Sequence, residues 1–411
     1  MCGIASRDMA DDSGRPFDGL RVLAISPTPT HPTTAGNRVR FRALLDRLQD
    51  LGATVRLVHI AHEPGDAPAM QAHWTSGGAT VIPFQYPAPR HARWNRFAER
   101  CRRVVGLPLQ DRADVDDWYD RASGPRIAEE VEKFRPHAVL MVYVWNSLPL
   151  ESLPPDILRV LDAQDVFTDR TARMRRSGVP QQWFSVTAEE EARGLNRFNV
   201  VLAIQEHEAA HYRAIAKREV VTVGHFLPLL DTGDPSHEPR LLIVASGNAV
   251  NVDGVTWFLD TVWPQILAAR PDATIDVVGR VCEALAPRPG VLLRGGVDDL
   301  SAVYAQSRLV INPLRGGTGL KIKGAEALAA ARVVVSTSSA AEGLEAAIGR
   351  GVVVADGASA MRDAVLRLLS DNAEVTRLSA DARQFALEWN AKHAAAFDAV
   401  FARAMPAQPS R

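Results

Sequence analysis

Short apolar runs rich in β-branched residues alternate along this chain with stretches whose apolar positions recur at helical spacing. In the first half the runs are RVLAIS (21–26), TVRLVHI (54–60), HAVLMVYV (137–144), RVLDAQD (159–165), NVVLAIQ (199–205) and EVVTVG (219–224). Helical patterns lie between them, as at Arg38–Leu51 and Glu189–Arg197. Continuous apolar strands separated by helices predict a buried, mostly parallel sheet. The stretch LDTGDPSHEP (230–239) reads as a linker, being rich in Pro, Gly and Asp. The pattern then restarts at LLIVAS (241–246), ATIDVVG (273–279), VLLRG (291–295), RLVINPL (308–314), RVVVST (332–337) and VVVAD (352–356). From about 374 to 403, Val375, Leu378, Phe385, Trp389, Phe397 and Phe401 follow a broadly helical spacing, which predicts a long last helix.

The expected organisation is therefore α/β, with two Rossmann-like doubly wound domains facing a central cleft. A polar tail occupies 1–19, the first domain 20–229, the linker 230–239 and the second domain 240–371. The helix within 372–411 is expected to pack back on the first domain. A chain of 411 residues exceeds the size at which one core stops growing, which agrees with two domains.

Composition narrows the function classes. A net charge of -1 gives no global reason to expect nucleic acid. Cys2, Cys101 and Cys282 lie far apart without a CxxC pair, against a disulfide framework or zinc site and in keeping with a reducing, cytoplasmic setting. No run of about 18 apolar residues and no signal-peptide pattern is seen. The opening MCGIA is similar to the start of glutamine amidotransferases with an N-terminal cysteine nucleophile. That chemistry needs a large domain directly behind the cysteine, and here a new strand begins after a short polar tail, so no catalytic role is assigned to Cys2.

The stretch INPLRGGTGLKIKGAE (311–326) is the richest in chemistry. A strand ends, the chain bends through Gly316, Gly317 and Gly319, and a helix follows. Glycines let backbone amides approach an anion, a helix N-terminus adds partial positive charge, and Lys321 and Lys323 add whole charges. Together they suit a diphosphate. The carboxylate of Glu326, just beyond, suits two vicinal ribose hydroxyls. Neither GxGxxG nor the GxxxxGK[ST] loop is present, so dinucleotide and Walker-type ATP binding are unsupported. A solvated glycine bend is the plain alternative.

PLRGGTGLKIKGAEALAAARVVVSTSSAAEGL (313–344) resembles the donor-domain signature of GT-B glycosyltransferases, close to family 4 (group 1). ASGNAVNVDGVTWFLDTVWPQILAARPDATIDVVGR (245–280) and GVLLRGGVDDLSAVYAQSRLVINPL (290–314) extend the resemblance over the second domain. It implies a retaining transfer of sugar from a nucleotide-diphosphate donor to a glycan, lipid-linked or small-molecule acceptor, with no cofactor and no metal. Arg280 matches the arginine that neutralises the donor diphosphate, and Lys321 or Lys323 its lysine partner. Glu326 matches the ribose-binding glutamate. Gly247 and Asn251 fall in the first donor-domain loop, Gly317, Thr318 and Gly319 in the turn, and Glu342 in a loop near the nucleotide. On the acceptor side Gly36 and Arg38, in PTPTHPTTAGNRVRF (27–41), match a loop over the reaction centre; Thr34 or Asn37 as a helix cap and Arg38 in water is the alternative.

The sequence departs from the family in three places. Relatives often carry Asp-x-His-Asp where LDAQDVFTDR (161–170) places Gln164 and Asp165. Glutamine can bond a sugar hydroxyl but cannot titrate; Asp165 remains to orient a substrate, and His31, His207 and His225 are candidate replacements. Thr318 stands eight positions before Glu326, where a second glutamate is widespread. Ala331-Arg332 stands where a glycine often precedes the strand. The family's proposed front-face attack, in which the leaving phosphate takes the acceptor proton, needs electrostatic help more than a protein base. A nucleotide-sugar epimerase and a catalytically weak nucleotide-sugar-binding protein remain as alternatives.

PRHARWNRFAERCRRVV (89–105) sets Trp94, Phe97, Cys101 and Val104 on one helical stripe beside four arginines. It suits peripheral contact with an anionic inner-membrane face, which the basic run at 170–176 would enlarge, or simply a helix packed on the sheet.

Overall fold

The apolar runs form two wholly parallel sheets in a computed structural model that describes residues 15–85, 113–176, 184–297, 299–316 and 321–406. The first sheet holds β1 (Arg21–Ser26), β2 (Thr54–Ile60), β3 (Ala79–Ile82), β4 (Ala138–Val142), β5 (Leu158–Asp162), β6 (Val200–Ala203) and β7 (Glu219–Thr222). Their order is β3-β2-β1-β4-β5-β6-β7. The second holds β8 (Arg240–Val244), β9 (Thr274–Val278), β10 (Val291–Gly295), β11 (Leu309–Asn312), β12 (Val333–Ser336) and β13 (Val352–Val354), ordered β10-β9-β8-β11-β12-β13. Central strands such as β4 and β11 are buried along their whole length, as helices on both faces require. The order reverses at β1/β4 and again at β8/β11, and a doubly wound sheet opens a crevice at such a point beyond its strand ends.

β3 is absent from the sequence expectation. Its four residues follow a Thr-Ser-Gly-Gly turn and leave Val81 36% exposed, so no apolar run marks it.

One 31-residue helix, Asn372–Ala402, runs along both lobes. Asp371 caps it by accepting from the Glu374 amide at 2.8 Å. Near its start Val375 and Leu378 join the second core, and near its end Phe397, Val400 and Phe401 join the first. Between these it grips the segment that crosses from lobe to lobe. Trp389 Nε1 donates to the His225 carbonyl at 2.8 Å, and the Asn390 amide both donates to and accepts from Leu227. Gly224 lies so close that a Cβ there would stand 2.5 Å from the Trp389 ring and 2.8 Å from His393.

The linker is pinned by two buried arginines. Arg332 donates to the carbonyls of Tyr304 (2.8 Å), Thr232 (2.9 Å) and Gly233 (3.1 Å), and burial lowers its pKa to about 10. Arg308 donates to the Leu368 carbonyl and to Asn372 Oδ1. Ala331, where relatives often carry glycine, has φ +51°, a left-handed conformation that glycine adopts without strain. The departure thus places a strained alanine beside an arginine that ties the linker down.

Among the described residues no helix is long and apolar enough to cross a membrane. The basic stripe at 89–105 lies outside them. In the run at 170–176, Arg170 turns to Asp165 at 3.3 Å and Arg173 donates to the Val166 carbonyl, so neither adds to an outward basic face.

Gly224→Ala is expected to push the long helix off the crossing segment and cost about 1–3 kcal/mol, the usual penalty of overpacking. Urea unfolding would check this; an unchanged midpoint would mean the clamp is loose.

Candidate functional site at the interlobe cleft

The carboxyl ends of β8 and β11 form one wall of the cleft. After β8 the chain passes Ala245–Asn248 and enters the helix Ala249–Trp257. Asn248 caps it by accepting from the Asn251 amide at 2.8 Å, while Asn251 Nδ2 donates back to Ser246 Oγ at 2.8 Å. Asn251 therefore stiffens the loop that presents Gly247. Gly279, at φ +108°, lets the loop after β9 press against this one; a Cβ would meet the Ala245 carbonyl oxygen at 2.1 Å. That approach carries Arg280 to the rim of the cleft, where its side chain is 81% exposed with Glu283 at 3.8 Å.

From β11 the chain delivers the remaining cations. Residues 317–320 lie outside the described residues, so Gly317, Thr318 and Gly319 are not placed. Lys321 precedes the helix Ile322–Ala329 and is 8% exposed, with a Glu342 carboxylate oxygen at 3.8 Å. Burial pulls its pKa down while Glu342 opposes the shift. Lys323 Nζ lies 2.7 Å from Glu326 Oε2, and that glutamate is largely buried. Gly247, Asn251, Arg280, Lys321, Lys323 and Glu326 all line a single cleft of about 690 Å³. Glu342 does not line it and acts from behind as the counter-charge of Lys321.

The opposite wall comes from the loop after β1, Thr33 to Gly36, and from Val39. Gly36 nearly touches the second lobe, since a Cβ there would stand 2.9 Å from Ile322 Cδ1. The helix Gly36–Asp50 has Ala35 at its N-cap without a side-chain cap, so neither Thr34 nor Asn37 caps it. Asn37 instead reaches Glu63 at 3.2 Å and the Tyr143 hydroxyl at 3.3 Å. Arg38 also turns from the cleft: its guanidinium pairs with Glu63 at 3.1 Å and donates to the Pro64 carbonyl. It braces the loop and lines no cavity described here.

A second cavity of about 200 Å³ adjoins the cleft through Gly36 and Ile322, which line both. Gln164 and Asp165 are on its wall. Gln164 Nε2 donates to Asp162 Oδ2 at 2.5 Å, and Arg40 donates to the other oxygen of Asp162 at 2.9 Å. Burial raises the Asp165 pKa against the pull of Arg170 at 3.3 Å. Arg40, Glu208 and His225 complete the polar lining. Burial, reinforced by Asp165, raises the Glu208 pKa to about 7, and burial lowers that of His225 to about 3. Of the candidate histidines only His225 faces this space. His31 stacks on His73, and His207 is exposed on its helix. Arg40 and Glu208 carried no sequence motif; one sits a helical turn beyond Gly36 and the other just past the end of β6, places that only the fold brings together.

Residues 238–371 match the family described as Glycosyl transferases group 1. A 44.6 kDa protein of the cps region of Klebsiella pneumoniae is 27% identical over 118 residues, which are 26% of this chain and 30% of that one. Among solved structures, a glycosyltransferase of Rickettsia africae matches with TM-score 0.65 at 12% identity, over 95% of this chain and 100% of the other. Anabaena HepE in complex with UDP matches with TM-score 0.61 at 11% identity, over 92% and 100%. These likenesses at low identity establish the fold. The chain is thus a GT-B protein resembling the group 1 glycosyltransferases, with the family match carried by its second lobe.

Proposed function

We propose that the protein transfers a sugar, with retention of configuration, from a nucleotide-diphosphate donor to a hydroxyl of a glycan, lipid-linked or small-molecule acceptor. The observation that carries this is the convergence of Arg280, Lys321, Lys323 and Glu326 on one wall of the cleft. A departing nucleoside diphosphate accumulates negative charge, and fixed cations in a partly dehydrated site stabilise it where it develops. Lys321, already largely desolvated and facing only a 3.8 Å contact with Glu342, would gain a stronger ionic partner in a phosphate oxygen. Glu326 would accept from ribose hydroxyls once Lys323 swings to the phosphates. HepE, of the same fold, was crystallised with UDP, and the cps-region relative fits a role in polysaccharide biosynthesis.

Front-face attack suits the first-lobe wall. Gln164 holds its amide on Asp162 and cannot take a proton, so the leaving phosphate would receive the acceptor's proton. The two cations supply the charge that a divalent metal supplies elsewhere, so no metal is required. We place the reaction in the cytoplasm; a lipid-linked acceptor would further call on the basic 89–105 segment at an anionic membrane. The same Gln164 lock favours one alternative, a protein that binds nucleotide sugars without turnover.

Incubation with UDP-, GDP- and ADP-sugars is expected to show slow donor hydrolysis in the absence of acceptor; binding without turnover would favour the alternative. Lys321→Ala combined with Lys323→Ala is expected to lower that turnover at least about 100-fold, as loss of transition-state charge stabilisation does. Unchanged kinetics would defeat the diphosphate assignment. EDTA is expected to leave the wild-type rate unaltered; loss restored by Mg²⁺ would show that the cations do not suffice.

A further inference from the structure

The small cavity beside the cleft is lined by polar groups that the folded chain leaves unmatched. His225 is 1% exposed, yet neither ring nitrogen has a hydrogen-bond partner among the described residues. Its backbone carbonyl is fixed by Trp389, so the ring is held in place rather than drifting in a loose segment. Glu208 is 7% exposed; one carboxylate oxygen accepts from Gln205 at 3.3 Å and the other is unpartnered. Leaving buried donors and acceptors unpaired costs about 1–3 kcal/mol each. Two further lining residues, Tyr143 and Gln164, both hold φ at +65° without being glycine, a strain that concentrates at ligand sites.

The charges around the cavity select the kind of guest. Arg40 is balanced by Asp162 at 2.9 Å, and Asp165 faces Arg170 at 3.3 Å. Glu208 has no ion-pair partner among the described residues. An anionic group would meet two carboxyls there, while a neutral hydroxyl could donate to Glu208 and exchange either role with His225. The volume of about 200 Å³ is that of several waters, each taking about 30 Å³ of liquid, or of one small ring. We propose that this cavity is a subsite for one uncharged, hydroxyl-bearing sugar ring, held by His225 and Glu208. The ring is either the sugar of the donor or the terminal residue of the acceptor. The proposal rests on reading the adjoining cleft as the nucleotide-sugar site.

Calorimetric titration of the full chain with UDP, GDP and ADP, and with their glucose, galactose, mannose and N-acetylglucosamine conjugates, distinguishes the sources. His225→Phe and the near-isosteric Glu208→Gln are compared with wild type, each checked for an unchanged circular dichroism spectrum. Both variants are expected to bind nucleoside diphosphate within twofold of wild type. If the ring is the donor's, the variants lose at least tenfold in affinity for the conjugate alone. If it is the acceptor's, conjugate affinity stays level. Saturation-transfer NMR then shows uncharged methyl glycosides, but not glucose 6-phosphate, binding the UDP-loaded wild type and lost in both variants. The subsite is overturned if the folded variants match wild type in both arms, or if wild type binds neither sugar form beyond the nucleoside diphosphate. Wild type that binds no nucleoside diphosphate at all would instead defeat the cleft assignment on which the proposal rests.

Discussion

A parallel sheet whose strand order reverses cannot close over its own carboxyl edge. The connections leaving the two strands at the reversal run to opposite faces, and the space between them stays open. This chain imposes that constraint twice, at β1/β4 and at β8/β11, and turns the two openings toward each other. The loop of Thr33 to Gly36 leaves one reversal, while Gly247 and Lys321 stand near the other. The helix Asn372–Ala402 is buried in both cores and bonds the crossing segment at His225 and Leu227, so it holds the two edges face to face. Side chains hundreds of positions apart share a wall only because of that arrangement.

The two walls differ in electrostatic character although the whole chain is nearly neutral, at -1. The second lobe offers Arg280, Lys321 and Lys323, each beside a glutamate. Those carboxylates keep the cations compatible with burial while the site is without an anion, and their spacing leaves room for a stronger one. The first lobe offers Asp165 and Glu208, with pKa values driven up by burial, and keeps Arg40 neutralised on Asp162. One wall therefore favours a polyanion and the other an uncharged polyol, the two halves of a nucleotide sugar with its acceptor.

How much of this could be read beforehand varied with the range of the interaction. Strands buried on both faces announce themselves as apolar runs, and TVRLVHI and VLLRG became β2 and β10 residue for residue. The short edge strand β3, with an exposed Val81, carries no such run. Lys321, Lys323 and Glu326 were legible because a turn, a helix start and charges are contiguous. Arg38 was not, because its direction is decided by Glu63 on a different loop. The small cavity was hardest to foresee: Arg40, Gln164, Glu208 and His225 come from four segments, and Gln164 stands out only through its left-handed backbone. Similarly, Ala331-Arg332 looked like a plain departure until the guanidinium was seen to hold the linker's carbonyls.

The account turns on whether the second lobe's cations grip a diphosphate, and a crystal structure of the chain with bound nucleoside diphosphate tests that most directly. It should show phosphate oxygens within hydrogen-bonding distance of Lys321 Nζ and the Arg280 guanidinium, with ribose hydroxyls on Glu326. A diphosphate lodged outside the cleft, or within it while Lys321 and Arg280 make no contact, would contradict the account.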